Sequence, residues 1–305
     1  MVHSNRHILV VSHAAQDESL DAMALVCSQL REHGITPVIR EAEQADLEAH
    51  TPALAPLVTL ESGVDTASLE CAVVLGGDGT ILRAAELLRG ARTPLVGINL
   101  GHVGFLAETE RAGLSDAVAR VIAGAYEVED RLTLSVRVKQ GGTVVFETWA
   151  LNEATVEKAS RSRILEVVLE VDRRPLSSFG CDGVVMATPT GSTAYSFSAG
   201  GPIVWPTVEA MVLVPMQAHA LFARPLVVGP ESSMAVEILA RSGSEGILWC
   251  DGRRSCDLPA GSRVVVTKSS VPVRLARLTP QAFTDRLVTK FDLPVDGWRG
   301  PTSRD

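Results

Sequence analysis

Residues 72–90 read AVVLGGDGTILRAAELLRG, and the turn at their centre, GGDGT at 76–80, predicts the fold of the first part of the chain. A short apolar run precedes the turn, and apolar residues at helical spacing follow it. A buried strand that passes through a turn into a helix is the repeating unit of a parallel α/β sheet. The turn should therefore lie at the carboxyl edge of the sheet, where such sheets bind ligands.

The residues on either side of this stretch repeat the alternation of strand and helix. Apolar runs of strand length occur at 7–12, 36–40, 71–75 and 94–100. Helical spacing of apolar residues occurs at 18–33, 81–89 and 114–123. We therefore expect an α/β N-terminal domain with a parallel sheet over residues 1–125.

From residue 126 onward the pattern becomes that of an antiparallel β domain. Residues 132–139 alternate apolar and polar side chains, and a glycine turn at 140–143 leads into a returning strand at 144–149. Further short apolar runs lie at 164–171, 226–228, 234–239, 247–250, 263–267 and 271–278. We expect an all-β, sandwich-like C-terminal domain over 126–279, with a long insert at 180–225. A helix at 283–291 should lie in a C-terminal segment, 280–305, that packs back on the first domain.

The composition of the chain excludes several classes of protein. The formal net charge is −8, which argues against nucleic-acid binding because phosphate backbones require a basic surface. The five cysteines are scattered and form no CxxC pair, so we expect neither a disulfide framework nor a zinc site. The sequence has no apolar stretch of membrane-spanning length and no signal-peptide layout at its start, so we expect a cytoplasmic protein that binds no membrane.

The GGDGT turn has the properties of an anion site. Exposed amide groups and the helix dipole favour phosphate at a helix N-terminus. Gly76, Gly77 and Gly79 allow positive φ angles and close approach of the backbone to a ligand. The chain has neither GxxxxGK[ST] nor GxGxxG, so neither a P-loop enzyme nor a hydride-transferring Rossmann enzyme is indicated.

Asp78 is unexpected in a turn that is suited to phosphate, because a carboxylate repels phosphate oxygens. Two functions remove the conflict: contact with Mg²⁺, or service as a general base toward a hydroxyl that attacks a phosphoryl group. The structural alternative is that Asp78 caps the following helix. The glycines and the strand-to-helix context favour a functional interpretation.

A second stretch, GCDGVVMATPTGSTAYSFSAGGPIVWP at 180–206, predicts a polar binding surface. It contains no lysine or arginine, and apolar residues recur through it, which a free linker would not need. Many small hydroxyl groups suit the recognition of a sugar or a base by hydrogen bonds. The hydroxyl residues are Thr188, Thr190, Ser192, Thr193, Ser196 and Ser198.

Taken together, these stretches resemble the NAD kinase family. The resemblance includes GGDGT, LNEATVEK at 151–158 and the segment at 180–206, with NLGHVGFLAE at 99–108, HALFARPLVV at 219–228 and CDGRR at 250–254. It covers most of the chain from about residue 71. GGDGT alone is shared with diacylglycerol and sphingosine kinases, whereas the 180–206 segment is much more specific.

The resemblance implies an activity and a site. The expected reaction is transfer of a phosphoryl group from ATP with Mg²⁺ to the 2′-hydroxyl of the adenosine ribose of NAD, giving NADP. Asp78 would be the catalytic base, and Gly76, Gly77 and Thr80 would shape the phosphate-binding turn. The magnesium ion would be held through phosphates. NAD would lie in a cleft between the two domains. The residues assigned to NAD are Asp78, Gly79, Arg83, Asn152, Glu153, Arg163, Asp182, Thr193, Ala194, Tyr195, Ser196, Phe197 and Ser198.

Several assignments remain open. Arg161 competes with Arg163 for one position, and the roles of His219 and Arg253 are undecided. Phe197 is expected to pack inward. Gly180 replaces a basic residue that several relatives carry, which puts a cationic contact there in doubt.

The resemblance leaves the oligomeric state and the substrate range open. The resemblance implies a homo-oligomer, a dimer or a tetramer, in which Asp182 can serve a neighbouring subunit. It leaves open whether polyphosphate replaces ATP and whether NADH is accepted. A lipid kinase and a non-catalytic dinucleotide sensor are the competing functions. The hydroxyl-rich segment disfavours the lipid kinase, and Asp78 disfavours the sensor.

Overall fold

The computed structural model describes residues 6–12, 17–101, 104–160, 163–221, 223–279 and 282–295. The chain divides into two compact units, Met1–Asp130 with Arg274–Asp305, and Arg131–Val273. The changes of unit thus fall at 130/131 and 273/274, compared with the sequence-based expectation of 125/126 and 279/280. Arg161 lies outside the described residues.

The first unit begins as the alternation predicted from sequence. Its strands are β1 His7–Ser12, β2 Thr36–Ile39, β3 Val58–Thr59, β4 Leu69–Leu75, β5 Leu95–Asn99, β6 Thr109–Glu110 and β7 Glu127–Arg131. Its helices in this part are α1 Asp17–Glu32, α2 Glu41–His50, α3 Asp78–Leu87 and α4 Leu114–Ile122. Helix α2 and strand β7 were not predicted because their apolar periodicity is weak. Strands β3 and β6 were not predicted because each has only two residues.

The central strands β1, β4 and β5 pair in parallel and are buried almost throughout. Burial on both faces explains why their sequences are continuous apolar runs. Apolar residues of α1 and α4 pack on the sheet in one core, which includes Met23, Val26 and Val118. Because these strands are parallel, their carboxyl ends lie at one edge of the sheet, where β4 ends and α3 begins.

The second unit consists of antiparallel strands with one short helix. The strands are β8 Leu134–Gln140, β9 Thr143–Ala150, β10 Glu153–Lys158, β11 Leu165–Val171, β12 Arg174–Cys181, β13 Gly183–Ala187, β14 Met211–Met216, β15 Leu226–Val228, β16 Met234–Ile238, β17 Gly246–Cys250, β18 Arg254–Leu258 and β19 Arg263–Lys268. Helix α5 is Tyr195–Ser198. Within the described part of the chain these strands form two six-stranded sheets, β15-β14-β13-β10-β17-β18 and β12-β11-β16-β19-β8-β9. Residues of both sheets share one apolar core, so the sandwich-like prediction agrees with the structure.

The chain then returns to the first unit through β20 Val273–Arg277 and α6 Phe283–Phe291. Strand β20 lies between β5 and β7 and pairs in parallel with β5, Leu275 opposite Leu95. Over the residues described, eight strands join this sheet in the order β3-β2-β1-β4-β5-β20-β7, with β6 beside β5. The prediction that 271–278 belongs to the antiparallel domain was therefore wrong. A short apolar run carries no information about its partner strand.

The region 180–225 is less of an insert than predicted. Strands β13 and β14 lie inside it, pair with each other and are largely buried, and β12 ends at its start. Between these strands the sequence is rich in glycine and hydroxyl residues, which gave the region the pattern of a loop. Short 3-10 helices complete the two units, at Pro52–Leu54, Leu60–Ser62, Thr66–Ser68, Arg111–Gly113, Gly191–Thr193 and Ala240–Ser242.

Candidate active site

The glycine turn joins β4 to α3 through a conformation that requires glycine at its first position. Gly76 has a φ of 149°, and a Cβ atom there would lie 2.5 Å from the Thr80 Oγ1 atom. Its amide donates to the Ile98 carbonyl at 2.8 Å. Thr80 is buried beneath the turn and thereby supports its shape. Gly77 is the N-cap of α3, and Gly79 is exposed in the first helical turn, where amide groups have no intrahelical acceptors.

The Asp78 carboxylate holds a neighbouring segment of backbone. Its Oδ2 atom accepts the Phe105 amide and its Oδ1 atom accepts the Leu106 amide, each at 3.0 Å. Gly104 lies so close that a Cβ atom there would collide with the carboxylate. Because Gly77 is the N-cap and Asp78 is bonded to another segment, the alternative that Asp78 caps the helix is wrong. Arg83 lies further along α3 and is partly buried.

In the second unit, the Asn152–Glu153 pair lies at the start of β10 and is held by a carboxylate that sequence reasoning missed. Asp251, 8 % exposed, accepts the amides of Leu151 at 2.9 Å and Asn152 at 2.7 Å, with a longer bond from Glu153 at 3.3 Å. Arg254 donates to the same carboxylate at 2.7 Å. Burial raises the pKa of Asp251. The indication in the sequence was the CDGRR turn, where Asp251 takes a left-handed φ of 53°.

Glu153 is the most strongly perturbed of the predicted binding residues. Burial, reinforced by the nearby Asp251 charge, raises its pKa to about 8, and a hydrogen bond from the Tyr195 amide only partly opposes this shift. Its Oε2 atom is buried and has no hydrogen-bond partner among the described residues. The raised pKa favours the protonated form of Glu153, which can donate as well as accept a hydrogen bond.

The hydroxyl groups of the 188–198 segment mostly serve the fold of the segment itself. Thr188 donates to the Leu151 carbonyl at 2.5 Å, and Ser192 donates to the Pro189 carbonyl at 2.6 Å. Gly191 packs so tightly on the Asn152 backbone that a side chain would not fit. The prediction of a surface built from six hydroxyl groups was therefore wrong for its buried members, which are Thr188, Thr190, Ser192 and Ser196.

Helix α5 nevertheless presents side chains to solvent beside Glu153. Tyr195 is 42 % exposed and Phe197 is 41 % exposed, so the expectation that Phe197 packs inward was wrong. The buried position of this single turn is taken by Ser196, and the residues on either side of it are exposed. Ser198 is exposed, Thr193 and Ala194 are partly exposed, and the buried Ser196 Oγ atom has no partner among the residues that the structure describes.

Asp182 and Arg163 are not brought together with Glu153 inside one chain. Asp182 forms an ion pair of 2.5 Å with Lys158, at the opposite end of β10 from Glu153 and about 16 Å along that strand. Arg163 is exposed and donates to the Gly243 carbonyl at 2.9 Å.

The residues with undecided roles lie at turns and edges. His219 and Arg253 are exposed, and the backbone of His219 bridges to Gly180. A Cβ atom at Gly180 would lie 2.5 Å from the Ile164 side chain.

The described residues do not form a protein-held metal site. No group of three or more His, Cys, Asp or Glu side chains in this part of the chain is placed to hold a metal ion. Asp78 uses both carboxylate oxygens on backbone amides. In the same residues, no helix combines the length and apolar character needed to cross a bilayer.

Family models match both parts of the chain. The ATP-NAD kinase N-terminal domain matches residues 8–126, and the ATP-NAD kinase C-terminal domain matches residues 151–278. Among curated proteins, the chain is 65 % identical to the NAD kinase of Leifsonia xyli subsp. xyli, over 99 % of each chain. It is 54 % identical to the NAD kinase of Thermobifida fusca, over 97 % of this chain and 92 % of that protein.

Solved structures with similar folds point the same way. The NAD kinase from Archaeoglobus fulgidus in complex with ATP superimposes with a TM-score of 0.69 at 25 % identity, covering 94 % of this chain and 98 % of that one. Yeast NADH kinase complexed with NADH gives a TM-score of 0.83 at 22 % identity, covering 99 % of this chain and 89 % of that one. The second likeness concerns the fold alone.

Proposed function

The chain belongs to the NAD kinase family, and on that premise we propose that it transfers the γ-phosphoryl group of ATP to the 2′-hydroxyl of the adenosine ribose of NAD, giving NADP and ADP. It is then a phosphotransferase with an alcohol acceptor. The observation that carries the proposal is the 65 % identity to a curated NAD kinase along almost the entire chain. The glycine turn at the start of α3 supports it, because a helix N-terminus favours bound phosphate.

In the proposed mechanism, Asp78 accepts the proton of the 2′-hydroxyl as the new O–P bond forms and the bond to the leaving ADP breaks. An ionised carboxylate has about four lone-pair sites, so two amide bonds leave room for the hydroxyl group. Those bonds fix the orientation of the carboxylate. ATP would bind at the turn that Gly76, Gly77 and Thr80 shape, and a Mg²⁺ ion bound to its phosphates would neutralise part of their charge.

The NAD contacts in the proposal follow the assignment that the family resemblance implies. In the second unit, Asn152 and the protonated Glu153 offer donors and acceptors suited to ribose hydroxyls, and Tyr195 offers an exposed ring. The remaining NAD contacts in this proposal are Gly79, Arg83, Thr193, Ala194, Phe197 and Ser198. Ser196, which is buried, and Arg163, which donates to the Gly243 carbonyl, are not among them. Asp182 serves the site of a neighbouring subunit, since its own chain places it at the far end of β10.

The proposed setting is the cytoplasm, where the protein acts on NAD and ATP as a homo-oligomer, a dimer or a tetramer, without nucleic acid or membrane partners. The oligomer is part of the proposal because Asp182 of one subunit is assigned to the site of its neighbour. Light scattering coupled to size exclusion measures the assembly, and a monomer at working concentration would contradict it.

A coupled assay tests the function. Purified protein is supplied with NAD, ATP and Mg²⁺, and NADP is detected with a dehydrogenase that accepts NADP alone. Parallel reactions replace NAD by NADH and ATP by polyphosphate, which decides acceptor and donor. The expected result is NADP formation that requires both substrates. A protein that forms no product with any donor and acceptor in the series would overturn the proposal.

A further inference from the structure

We propose that Arg286 of the C-terminal helix α6 is a positioning residue for Asp78, acting through the backbone of residues 104–108. This inference rests on the proposed function of Asp78. The 104–108 segment lies between the two side chains. Asp78 accepts amides from one side of the segment. Arg286 donates to carbonyl groups from the other side, to Phe105 at 2.8 Å and to Ala107 at 2.7 Å.

One peptide group connects the two charges directly. The carbonyl of Phe105 and the amide of Leu106 belong to the same planar unit, whose oxygen and hydrogen point in opposite directions. Arg286 donates to that oxygen, and that hydrogen is donated to the Asp78 Oδ1 atom. Because hydrogen bonds in a chain polarise one another, the guanidinium strengthens the bond that holds the carboxylate.

The side chain of Arg286 is itself rigidly held. It is 7 % exposed, and it donates to the Glu108 carboxylate at 3.0 Å. Glu108 also accepts the Leu278 amide at 2.9 Å and pairs with Arg277, which in turn donates to Glu129 at 2.8 Å. Burial and the neighbouring Arg277 charge lower the pKa of Arg286, so Glu108 is the counter-charge that keeps it ionised in place.

Aromatic contacts from the same helix fix the segment as well. The Phe105 ring lies 6.1 Å from the Phe283 ring and 5.7 Å from the Phe291 ring, measured between centroids. Helix α6 therefore contacts the 104–108 segment in two ways, through the Phe105 ring and through the carbonyl groups of Phe105 and Ala107. The charged contact is the one that reaches the peptide group bonded to Asp78.

A cavity beside Arg286 makes the contact accessible to experiment. Its volume is about 390 Å³, and its lining includes Gly104, Glu108, Arg286 and Thr289. Truncation of Arg286 to alanine would open this space further. A free guanidinium ion could then enter and restore the donors to the two carbonyl groups.

The test compares Arg286→Ala with Arg120→Ala in the coupled assay. Arg120 is exposed on α4 and donates to the Leu278 carbonyl at 3.0 Å, rather than to a carbonyl of the 104–108 segment. We expect kcat of Arg286→Ala to fall about 10- to 100-fold, as a misplaced catalytic group costs, while KM for NAD changes little. Added guanidinium should recover much of kcat, and Arg286→Lys should lose less than Arg286→Ala. Arg120→Ala should keep its kcat.

Hydrogen exchange measured by mass spectrometry provides a readout independent of activity. In Arg286→Ala, amide exchange should rise in peptides covering 104–108 and stay unchanged in peptides covering β10. Faster exchange throughout the first unit, or an active Arg286→Ala protein with wild-type kcat, would overturn the inference. If the wild-type protein makes no NADP, the proposed function fails, and exchange at 104–108 still decides whether Arg286 holds the segment.

Discussion

Asp78 and Asp251 show how a single carboxylate can organise a site by holding backbone. Asp78 accepts two amides of the 104–106 backbone, and Asp251 accepts those of Leu151, Asn152 and Glu153. Backbone amides that donate to a charged acceptor make stronger bonds than neutral pairs. At this scale the residue type is essential, because an amide or hydroxyl side chain would not accept several N–H groups equally well.

Asp78→Asn should reduce turnover about 100- to 10,000-fold, because the amide cannot take a proton from the 2′-hydroxyl. NAD binding should largely survive. The variant should also lose about 1–3 kcal/mol of stability, since an NH₂ group would face the amides of Phe105 or Leu106. Steady-state rates, calorimetric titration with NAD and denaturant unfolding measure the three effects. Near-normal turnover would remove Asp78 as the base.

Glu153 should make stability depend on pH. Its pKa is about 8 in the folded protein against an ordinary value of 4.5. The folded state therefore binds the proton more tightly, and the stability present below about pH 4.5 is lost as the pH rises through about 8, by at most about 1.4 kcal/mol per pH unit.

The comparison variant is Glu153→Gln, which should unfold with a weaker pH dependence than the wild type in this window. Glu147→Gln, at an exposed site on β9, serves as the control and should follow the wild type. Denaturant midpoints measured at several pH values decide the matter. If the stability of Glu153→Gln and of the wild type changed in parallel with pH, the pKa of Glu153 would not be raised by folding.

At the scale of elements, the junction of β4 and α3 combines a strained residue with an unstrained one. Gly76 has a left-handed backbone in close contact with Thr80, whereas Gly79 lies in α3 with open space where a Cβ atom would be. Glycine is therefore found at these two positions of the motif for different physical reasons. Gly76 is needed by the turn, and the proposed reason for Gly79 is close approach of a ligand.

Gly76→Ala should destabilise the protein by about 1–3 kcal/mol, because alanine tolerates neither the φ angle nor the contact. Gly79→Ala should leave stability unchanged or raise it by up to about 1 kcal/mol, since alanine favours a helix. Thermal unfolding of both variants measures the difference. Equal losses at the two positions would contradict this account of the turn.

At the scale of the molecule, the first unit is assembled from two distant parts of the chain. Strand β20 lies between β5 and β7, and Arg277 on that strand pairs with Glu108 and Glu129. The second unit is continuous in sequence and has a core of its own. The two units should therefore differ in their ability to fold from a single stretch of chain.

A fragment of residues 1–130 should be largely unfolded, because its sheet lacks the strand between β5 and β7. A fragment of residues 131–273 should fold cooperatively. Circular dichroism and denaturant titration of the two purified fragments test this. A 1–130 fragment as stable as the 131–273 fragment would show that β20 and α6 are dispensable for the first unit.

Local patterns were sufficient for much of the fold and for membership of the family. The bounds of β1 and α6, the hairpin at 140–143 and the glycine turn followed from periodicity and turn residues, because these depend on neighbours in sequence. The resemblance to NAD kinases was confirmed by both family models.

The folded chain alone revealed which distant residues meet. Three contacts join segments that are tens to hundreds of residues apart. They are the pairing of β20 with β5, the hydrogen bonds from backbone amides to Asp78, and the hydrogen bond from the Asn152 amide to Asp251. The perturbed pKa of Glu153 likewise arises from burial and from Asp251. Burial and long-range hydrogen bonds depend on neighbours in three dimensions. A periodic pattern along the chain indicates that a residue is buried, but it does not indicate which residues lie beside it.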